Sequence, residues 1–429
     1  MWPLLYFPRI LTGVLLLASI AHSITAQVIK SPDDARIFGL EALNKESLLL
    51  RPQAKNSIAD KNAFLALGKS FFHDVAVGRG EIACASCHGH AGADNVERSI
   101  GCDGEERPTN TPSVINAALT PRQGWQGQHA SLAAQIRAPV MSPEMTCGEE
   151  RTWDDLHGEL LPKYVLESQE VSTTDSVLGD YALTHEPGLS VTYAELIEMA
   201  VKDPLRRRFS TVFVGSIEHY LRSLISTDTP FDRWMRAGTD PKFRRIELIG
   251  LNAFIKGQCH TCHFGSELTG ASRGGFETIL TRTGDNLTVF RGHANTGLSS
   301  GQFKTPGLRN VSLTGPYGHN GNIGDTISQS VEFYNSGGGA DCTSFASEMN
   351  TEIRPLGLSK RERLGLWYFL WSLTSEDVKY RRAPFDGPEV PGVQQAVGAA
   401  GQRSALKRFN NLHPRDLGNV ETDRECIVR

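Results

Sequence analysis

Two pentapeptides decide how this chain folds: Cys84-Ala85-Ser86-Cys87-His88 and Cys259-His260-Thr261-Cys262-His263. CxxCH is the attachment pattern of c-type haem, in which two thiols form thioethers with the vinyl groups and the adjacent His becomes an axial ligand of the iron. The spacing has a mechanical reason. A tight turn puts both sulfurs on one edge of the macrocycle and the imidazole under the metal. One such pentapeptide is compatible with a zinc site or a redox dithiol; two, each ending in His, predict covalent haem c at both places. The residues expected to hold the two haems are therefore Cys84, Cys87 and His88 in the first motif and Cys259, Cys262 and His263 in the second.

Outward from the motifs, the chain opens with a targeting pattern. Arg9 precedes the apolar run Ile10–Ile20, which is short for a bilayer span and suits a signal-peptide core over residues 1–26. Cleavage after Ser23 or Ala26 fits; an uncleaved anchor is the alternative. No later stretch is apolar and long enough to cross a membrane, so no span is expected once the signal is removed. Export to the periplasm agrees with the haem motifs, because bacteria attach c-type haem outside the inner membrane. The remaining roughly 400 residues suggest two domains. A formal net charge of −4 offers no basic field for nucleic acid. Of eight cysteines, four lie outside the pentapeptides: Cys102, Cys147, Cys342 and Cys426. Their number is even and the compartment oxidising. Proximity suggests Cys102–Cys147 with Cys342–Cys426, although three pairings, or four thiols, remain open.

An internal repeat sets the domain plan. Thr111-Pro112-Ser113-Val114-Ile115-Asn116-Ala117-Ala118-Leu119-Thr120 follows the first motif, and Thr305-Pro306-Gly307-Leu308-Arg309-Asn310-Val311-Ser312-Leu313-Thr314 follows the second. The surrounding pattern is helical. Apolar residues recur at three and four through Ser190–Ser226, which Pro204 should split in two, and again through Lys360–Leu373. The expected fold is mainly α, with two cytochrome c-like domains, each around one covalent haem c, and long irregular connections. The expected spans are 27–226 for the first domain, 227–384 for the second and 385–429 for a tail over the surface. Thr227–Lys242, broken by Pro230, Gly238 and Pro241, reads as the linker, and Tyr164–Pro187 as a surface insertion.

The chain resembles the bacterial di-haem cytochrome c peroxidases, and within them the MauG and MbnH branch. The likeness runs from Leu67-Gly68-Lys69 to about Leu373. It includes Asn110-Thr111-Pro112, Trp125-Gln126-Gly127, Pro143-Glu144-Met145, Pro230-Phe231-Asp232-Arg233, Phe303-Lys304-Thr305-Pro306 and Pro316-Tyr317-Gly318-His319-Asn320-Gly321. The resemblance implies hydrogen peroxide as a substrate at the first haem. Ordinary members place a distal His between the first motif and the NTP sequence. Here that loop holds only His90, two residues beyond His88, so the first iron is expected to be five-coordinate as made. Gln135, ten residues after Trp125, and Glu144, one residue early, match the family's distal Gln and Glu. Glu144 would carry the peroxide proton, worth about 10²–10⁴-fold, and Gln135 would orient the bound oxygen.

The second iron should be closed on its far side. Asp325–Asn335 reads as a short helix with Ile327, Val331 and Tyr334 on one face, and no Met lies near. MauG-type enzymes use a Tyr there, so Tyr334 is the expected ligand; a core aromatic is the alternative. Trp125 would relay electrons between the haems. The family's Ca²⁺ maps onto Asn110, Thr314 and Pro316, a set of oxygen donors suited to a hard cation. One departure matters. MauG has an electron-exit Trp just before its second CxxCH, whereas this chain has Gly257, leaving another surface aromatic such as Trp234 to serve. Expected partners are a small redox protein (a cytochrome c or cupredoxin) as donor, or a protein substrate. A non-catalytic di-haem electron carrier or redox sensor is the competing class.

Overall fold

The structure is a computed structural model that describes residues 28–43, 60–89, 92, 98–201, 208–271, 289–291, 302–319, 321, 323–338, 354–388 and 390. The targeting segment, His90, Cys342 and Cys426 lie outside the described residues. Helices dominate. In chain order they are α1 (Pro32–Ile37), α2 (Lys61–His73), α3 (Cys84–Cys87), α4 (Leu132–Val140), α5 (Pro143–Thr146), α6 (Trp153–Leu160), α7 (Tyr193–Ala200), α8 (Phe209–Ser223), α9 (Pro230–Ala237), α10 (Arg245–Lys256), α11 (Ile327–Asn335), α12 (Lys360–Trp371) and α13 (Glu376–Lys379). Among the described residues the sheet is a single antiparallel pair, β1 (Val289–Arg291) with β2 (Gln302–Lys304).

Local sequence explains where these helices start. Thr192, Thr229, Thr326 and Ser359 each accept from the backbone three residues on, while the residue there returns the bond, a capping box in each case. The Ser190–Ser226 pattern gives α7 and α8, ending and starting on either side of residues 202–207. α12 covers the Lys360–Leu373 pattern and buries Leu366 and Phe369.

Apolar burial divides the molecule into two cores. One gathers α2, α4, α6, α7 and α8 with the first pentapeptide; Phe71 and Phe213 are fully buried in it. Each such side chain contributes about 1.5–3 kcal/mol by leaving water. The other core gathers α9, α10, α11 and α12 with Cys259 against it. Both are closed by the same contact. Gly68 in α2 lies against the Ser216 carbonyl of α8, where an added Cβ would come within 1.9 Å; Gly250 in α10 meets the Gly365 carbonyl of α12 at the same 1.9 Å. Each crossing needs a glycine on at least one side; at Gly250 and Gly365 both sides are glycine.

The repeat is also structural. Asn116 (φ 62°) and Asn310 (φ 59°) both take the left-handed conformation and open a short 3₁₀ turn. Asn116 donates its N–H to the Leu224 carbonyl (2.9 Å) and accepts at Oδ1 from Ser226 N–H (2.8 Å). Asn310 does the same with Leu373 (2.9 Å) and Ser375 (2.9 Å). Each Asn thus ties its repeat to the end of the last long helix of its own core.

Several expectations change. Thr227–Lys242 is no linker: α9 occupies its centre and buries Phe231, Asp232, Trp234 and Met235. Tyr164–Pro187 is no mere surface insertion, since Val165, Leu166 and Leu178 are fully buried in the first core. The ends cross over. Ile29, Ala35, Phe38 and Leu40 belong to the second core, while Val378, Phe385 and Val390 belong to the first. A split into 27–226 and 227–384 by chain order misses both crossings. The described part of the expected surface tail is anchored, with Asp386 3.3 Å from the fully buried Lys69 ammonium.

Candidate functional site

Both pentapeptides fold into the turn their chemistry requires. In the first, α3 carries Cys84 and Cys87, and His88 N–H donates to the Cys84 carbonyl at 2.9 Å. In the second, a 3₁₀ turn over Cys259–Thr261 is closed by His263 N–H to the Cys259 carbonyl, again at 2.9 Å. The same bond in both places fixes the imidazole relative to the first sulfur.

The two imidazoles are then committed alike. His88 Nδ1 lies 3.2 Å from the Gly92 carbonyl and His263 Nδ1 lies 2.9 Å from the Leu268 carbonyl. A carbonyl only accepts, so Nδ1 carries the proton and Nε2 keeps its lone pair, the state a metal ligand needs. Burial pushes both imidazoles below the ordinary histidine value, His263 to about 4, partly opposed by backbone hydrogen bonding that includes Pro112 for His88 and Pro306 for His263. Those prolines are the second residues of the two repeats, so the repeated Thr-Pro lies against the proximal histidine in each half.

The thiols fit covalent haem better than the alternatives. None of the four cysteines forms a disulfide. Burial, aided by the neighbouring thiol, pushes Cys84 and Cys259 up to about 12. A redox dithiol works through a depressed thiol value, the opposite direction; a thioether carries no charge and tolerates apolar surroundings. Among the described residues no group of three or more His, Cys, Asp or Glu converges as a bare metal ion would need.

Gln135 stands on α4 and Glu144 in the first turn of α5; Leu132, Ile136 and Met145 on these helices belong to the large core against which Cys84 and Cys87 pack. Gln135 Oε1 is buried with no hydrogen-bond partner, an orphaned acceptor of the kind that bound ligands satisfy. Glu144 is held firmly. Arg107 donates to its Oε2 at 3.0 Å while a second guanidinium nitrogen donates to both oxygens of Asp103, at 2.7 and 2.9 Å. Cys102 N–H donates to the Glu144 carbonyl at 2.9 Å, and the Cys102–Cys147 disulfide closes the loop round α5. This realises the first expected cysteine pair. Arg107 was not legible in advance, because it meets Glu144 only through that closed loop.

Between the halves lies Trp125. Its Nε1–H donates to the Asn110 carbonyl (2.7 Å), its own carbonyl accepts from Lys304 N–H (2.6 Å), and its ring stands edge-on to His319 at 6.3 Å. Lys304 Nζ also donates to the Arg122 carbonyl at 3.0 Å, and burial lowers that ammonium to about 8. Asn110 N–H donates to the His319 carbonyl at 2.8 Å, which brings Asn110 to the loop containing Thr314 and Pro316.

At the second motif, α11 presents Tyr334 with Ile327 and Val331 buried beneath it. Tyr334 is 44 % exposed, so it is not a packed core aromatic. Its phenol is nevertheless pushed up to about 12, by burial first and then by the Cys259 and Cys262 thiols. The influence of the two thiols places that phenol near the second motif. Gly257 ends α10, and Trp234, expected on the surface, is only 5 % exposed in the second core, stacked on Phe243 at 4.6 Å. It cannot meet a partner. Beneath this site Arg309 grips Asp232 through two bonds of 2.6 and 2.7 Å, both side chains fully out of water. The sequence signal for that pair was present, in Asp232 of Pro-Phe-Asp-Arg and Arg309 of the repeat, but neither motif names the other.

Residues 62–240 match the family described as di-haem cytochrome c peroxidase. That match covers less than half of the chain, which resembles the family over those residues. MauG of Methylorubrum extorquens, a methylamine utilization protein, is 29 % identical to this chain over 320 residues, covering 73 % of this chain and 78 % of MauG. The cytochrome c551 peroxidase of Nitrosomonas europaea is 27 % identical over 289 residues, covering 65 % of this chain and 75 % of that one. The fold is similar to the crystal structure of a MauG-like protein associated with microbial copper homeostasis, with TM-score 0.60 and 20 % identity over 78 % of this chain and 95 % of that one. The family match holds the first pentapeptide, Trp125, Gln135 and Glu144 and ends before Cys259, whereas the fold likeness spans most of both halves.

Proposed function

We propose that this chain is a di-haem peroxidase that reduces hydrogen peroxide at the site of Cys84, Cys87 and His88, with the site of Cys259, Cys262 and His263 holding and passing electrons. The likeness to named cytochrome c peroxidases supports an oxidoreductase of the peroxidase type. The observation that carries the assignment is an asymmetry. The proximal histidines are held alike, but the groups associated with the two sites differ: an orphaned Gln135 amide and an Arg107-held Glu144 go with the first, the Tyr334 phenol with the second.

Haem held by Cys84, Cys87 and His88 would supply the redox chemistry that cleaves the O–O bond of peroxide. The residues do the rest. His88 and His263 each offer Nε2. Gln135 orients the peroxide, and Glu144 takes a peroxide proton at a carboxylate oxygen and returns it to the leaving oxygen. Arg107 holds the other side of that carboxylate, fixing its direction. Tyr334 closes the second site, and Trp125, bonded to both halves of the molecule, bridges them. Asn110 with the backbone of Thr314 and Pro316 would hold a Ca²⁺ at this junction. Electrons come from a small redox protein or, in the MauG manner, from residues of a protein substrate. The exit through Gly257 is missing and Trp234 is buried, so oxidation of a docked protein uses neither route. The proposed location is the periplasm.

Rapid mixing of the holoprotein with one equivalent of hydrogen peroxide tests this. A fast optical change is expected, slowed about 10²–10⁴-fold by Glu144→Gln at unchanged haem content. No change on mixing, in either protein, would assign the chain to electron carriage instead.

A further inference from the structure

Away from Glu144, a buried tyrosine and a histidine meet beside the first pentapeptide. Tyr220 on α8 is 3 % exposed, and its hydroxyl lies 3.2 Å from His73 Nε2 at the end of α2. With the phenol donating, Nε2 is the acceptor and Nδ1 carries the ring proton. Phe72 bridges this pair to the haem motif, its ring 5.5 Å from Tyr220 and 6.2 Å from His88. His73, Tyr220, Ala85 and His88 line one cavity of about 40 Å³, whose far wall includes Arg381 and Asp386. That volume admits water. The returning C-terminal segment closes it: a Cβ on Gly387 would come within 2.9 Å of the His73 ring.

We propose that Tyr220 and His73 form a redox-active pair that gives one electron when peroxide reacts at the first haem, the phenol proton passing to His73 within the pair. Hydrogen peroxide needs two electrons, and the pair supplies one of them. Tyr220 is oxidised, its O–H bond breaks and an N–H bond forms at His73 Nε2, while the electron reduces the peroxide-derived oxidising equivalent. The proton must go with the electron. Burial, and then the Asp175 and Asp386 carboxylates, raise the phenol far above its ordinary value, so it does not ionise on its own. Those carboxylates are both paired with Lys69, and the Arg381 guanidinium on the same cavity opposes them. A tyrosine that only filled the core would need a hydrogen-bond partner, but not a base on the cavity that the axial histidine lines.

The pair rests on the proposed peroxide reaction, and the test separates the two. Ferric holoprotein is freeze-quenched after one equivalent of hydrogen peroxide without an electron donor and examined by electron paramagnetic resonance. A tyrosyl signal is expected, narrowed by ring-deuterated tyrosine. It should fall at least tenfold in Tyr220→Phe and in His73→Gln, both with unchanged haem spectra. A second arm replaces peroxide with a photogenerated ruthenium(III) oxidant. A Tyr220-dependent radical in that arm alone supports the pair and removes the peroxide reading. A signal of equal size in Tyr220→Phe, or no tyrosyl signal in either arm, overturns the pair.

Discussion

Glu144 shows how a single side chain acquires direction. Its carboxylate faces a guanidinium that is itself held by Asp103, and the peptide behind it is pinned by Cys102. Hydrogen bonds to charged groups are worth about 1.5–3 kcal/mol. Arg107→Met should therefore slow the peroxide reaction about tenfold, less than Glu144→Gln does, with partial recovery in Arg107→Lys; stopped-flow rates check the order. Tyr334 gives a second expectation at this scale. Tyr334→Phe keeps the ring and removes the oxygen, so one low-spin haem signal should disappear from the electron paramagnetic resonance spectrum while haem content stays whole. An unchanged spectrum would return Tyr334 to a lining role. The cysteines and histidines of both motifs were legible because covalent chemistry dictates their spacing. Arg107 and the His73–Tyr220 pair were not, since residues far apart in sequence meet only after the helices pack.

At the scale of elements, periodicity predicted α7, α8 and α12, whereas α9 was misread. Pro230 and Gly238 looked like breakers. They are instead the first residue of α9 and the left-handed residue just after it, positions where proline and glycine are favoured. The matched glycine crossings offer a direct check. Gly68→Ala and Gly250→Ala would each push a methyl group into a carbonyl at 1.9 Å, and overpacking costs about 1–3 kcal/mol. Thermal unfolding should show both losses. Gly158 within α6 is the control, because an added Cβ meets nothing within 4 Å there; Gly158→Ala should gain about 0.5–1 kcal/mol. The extra repeat at Ser223-Leu224-Ile225-Ser226 and Ser372-Leu373-Thr374-Ser375, which receives the two asparagines, was available in the sequence. Its meaning needed the hydrogen bonds.

The whole molecule depends on buried charge at the base of the second core. Burial pushes the Asp232 carboxyl up, but the Arg309 guanidinium and the bonds from Thr229 and Leu43 outweigh it and hold it below its ordinary value. A depressed carboxyl stabilises the fold above its unfolded value of about 3.9, and that stability is lost as pH falls below it. Acid unfolding followed by circular dichroism should steepen below about pH 4, and Asp232→Asn should flatten that dependence. Arg309→Met would strand a buried carboxylate, at a cost of about 3–5 kcal/mol.

The exchanged ends have a consequence for how the chain is made. Ile29 and Leu40 leave the ribosome early, yet they pack with Phe369 and Leu373, which come more than three hundred residues later; Phe385 then returns to join Phe71. Domains ordinarily settle one after another during synthesis, the N-terminal one first. Here neither half has its complete set of packing partners until nearly the whole polypeptide exists. A chain cut between the halves would therefore leave two fragments, each lacking a piece of its own interior.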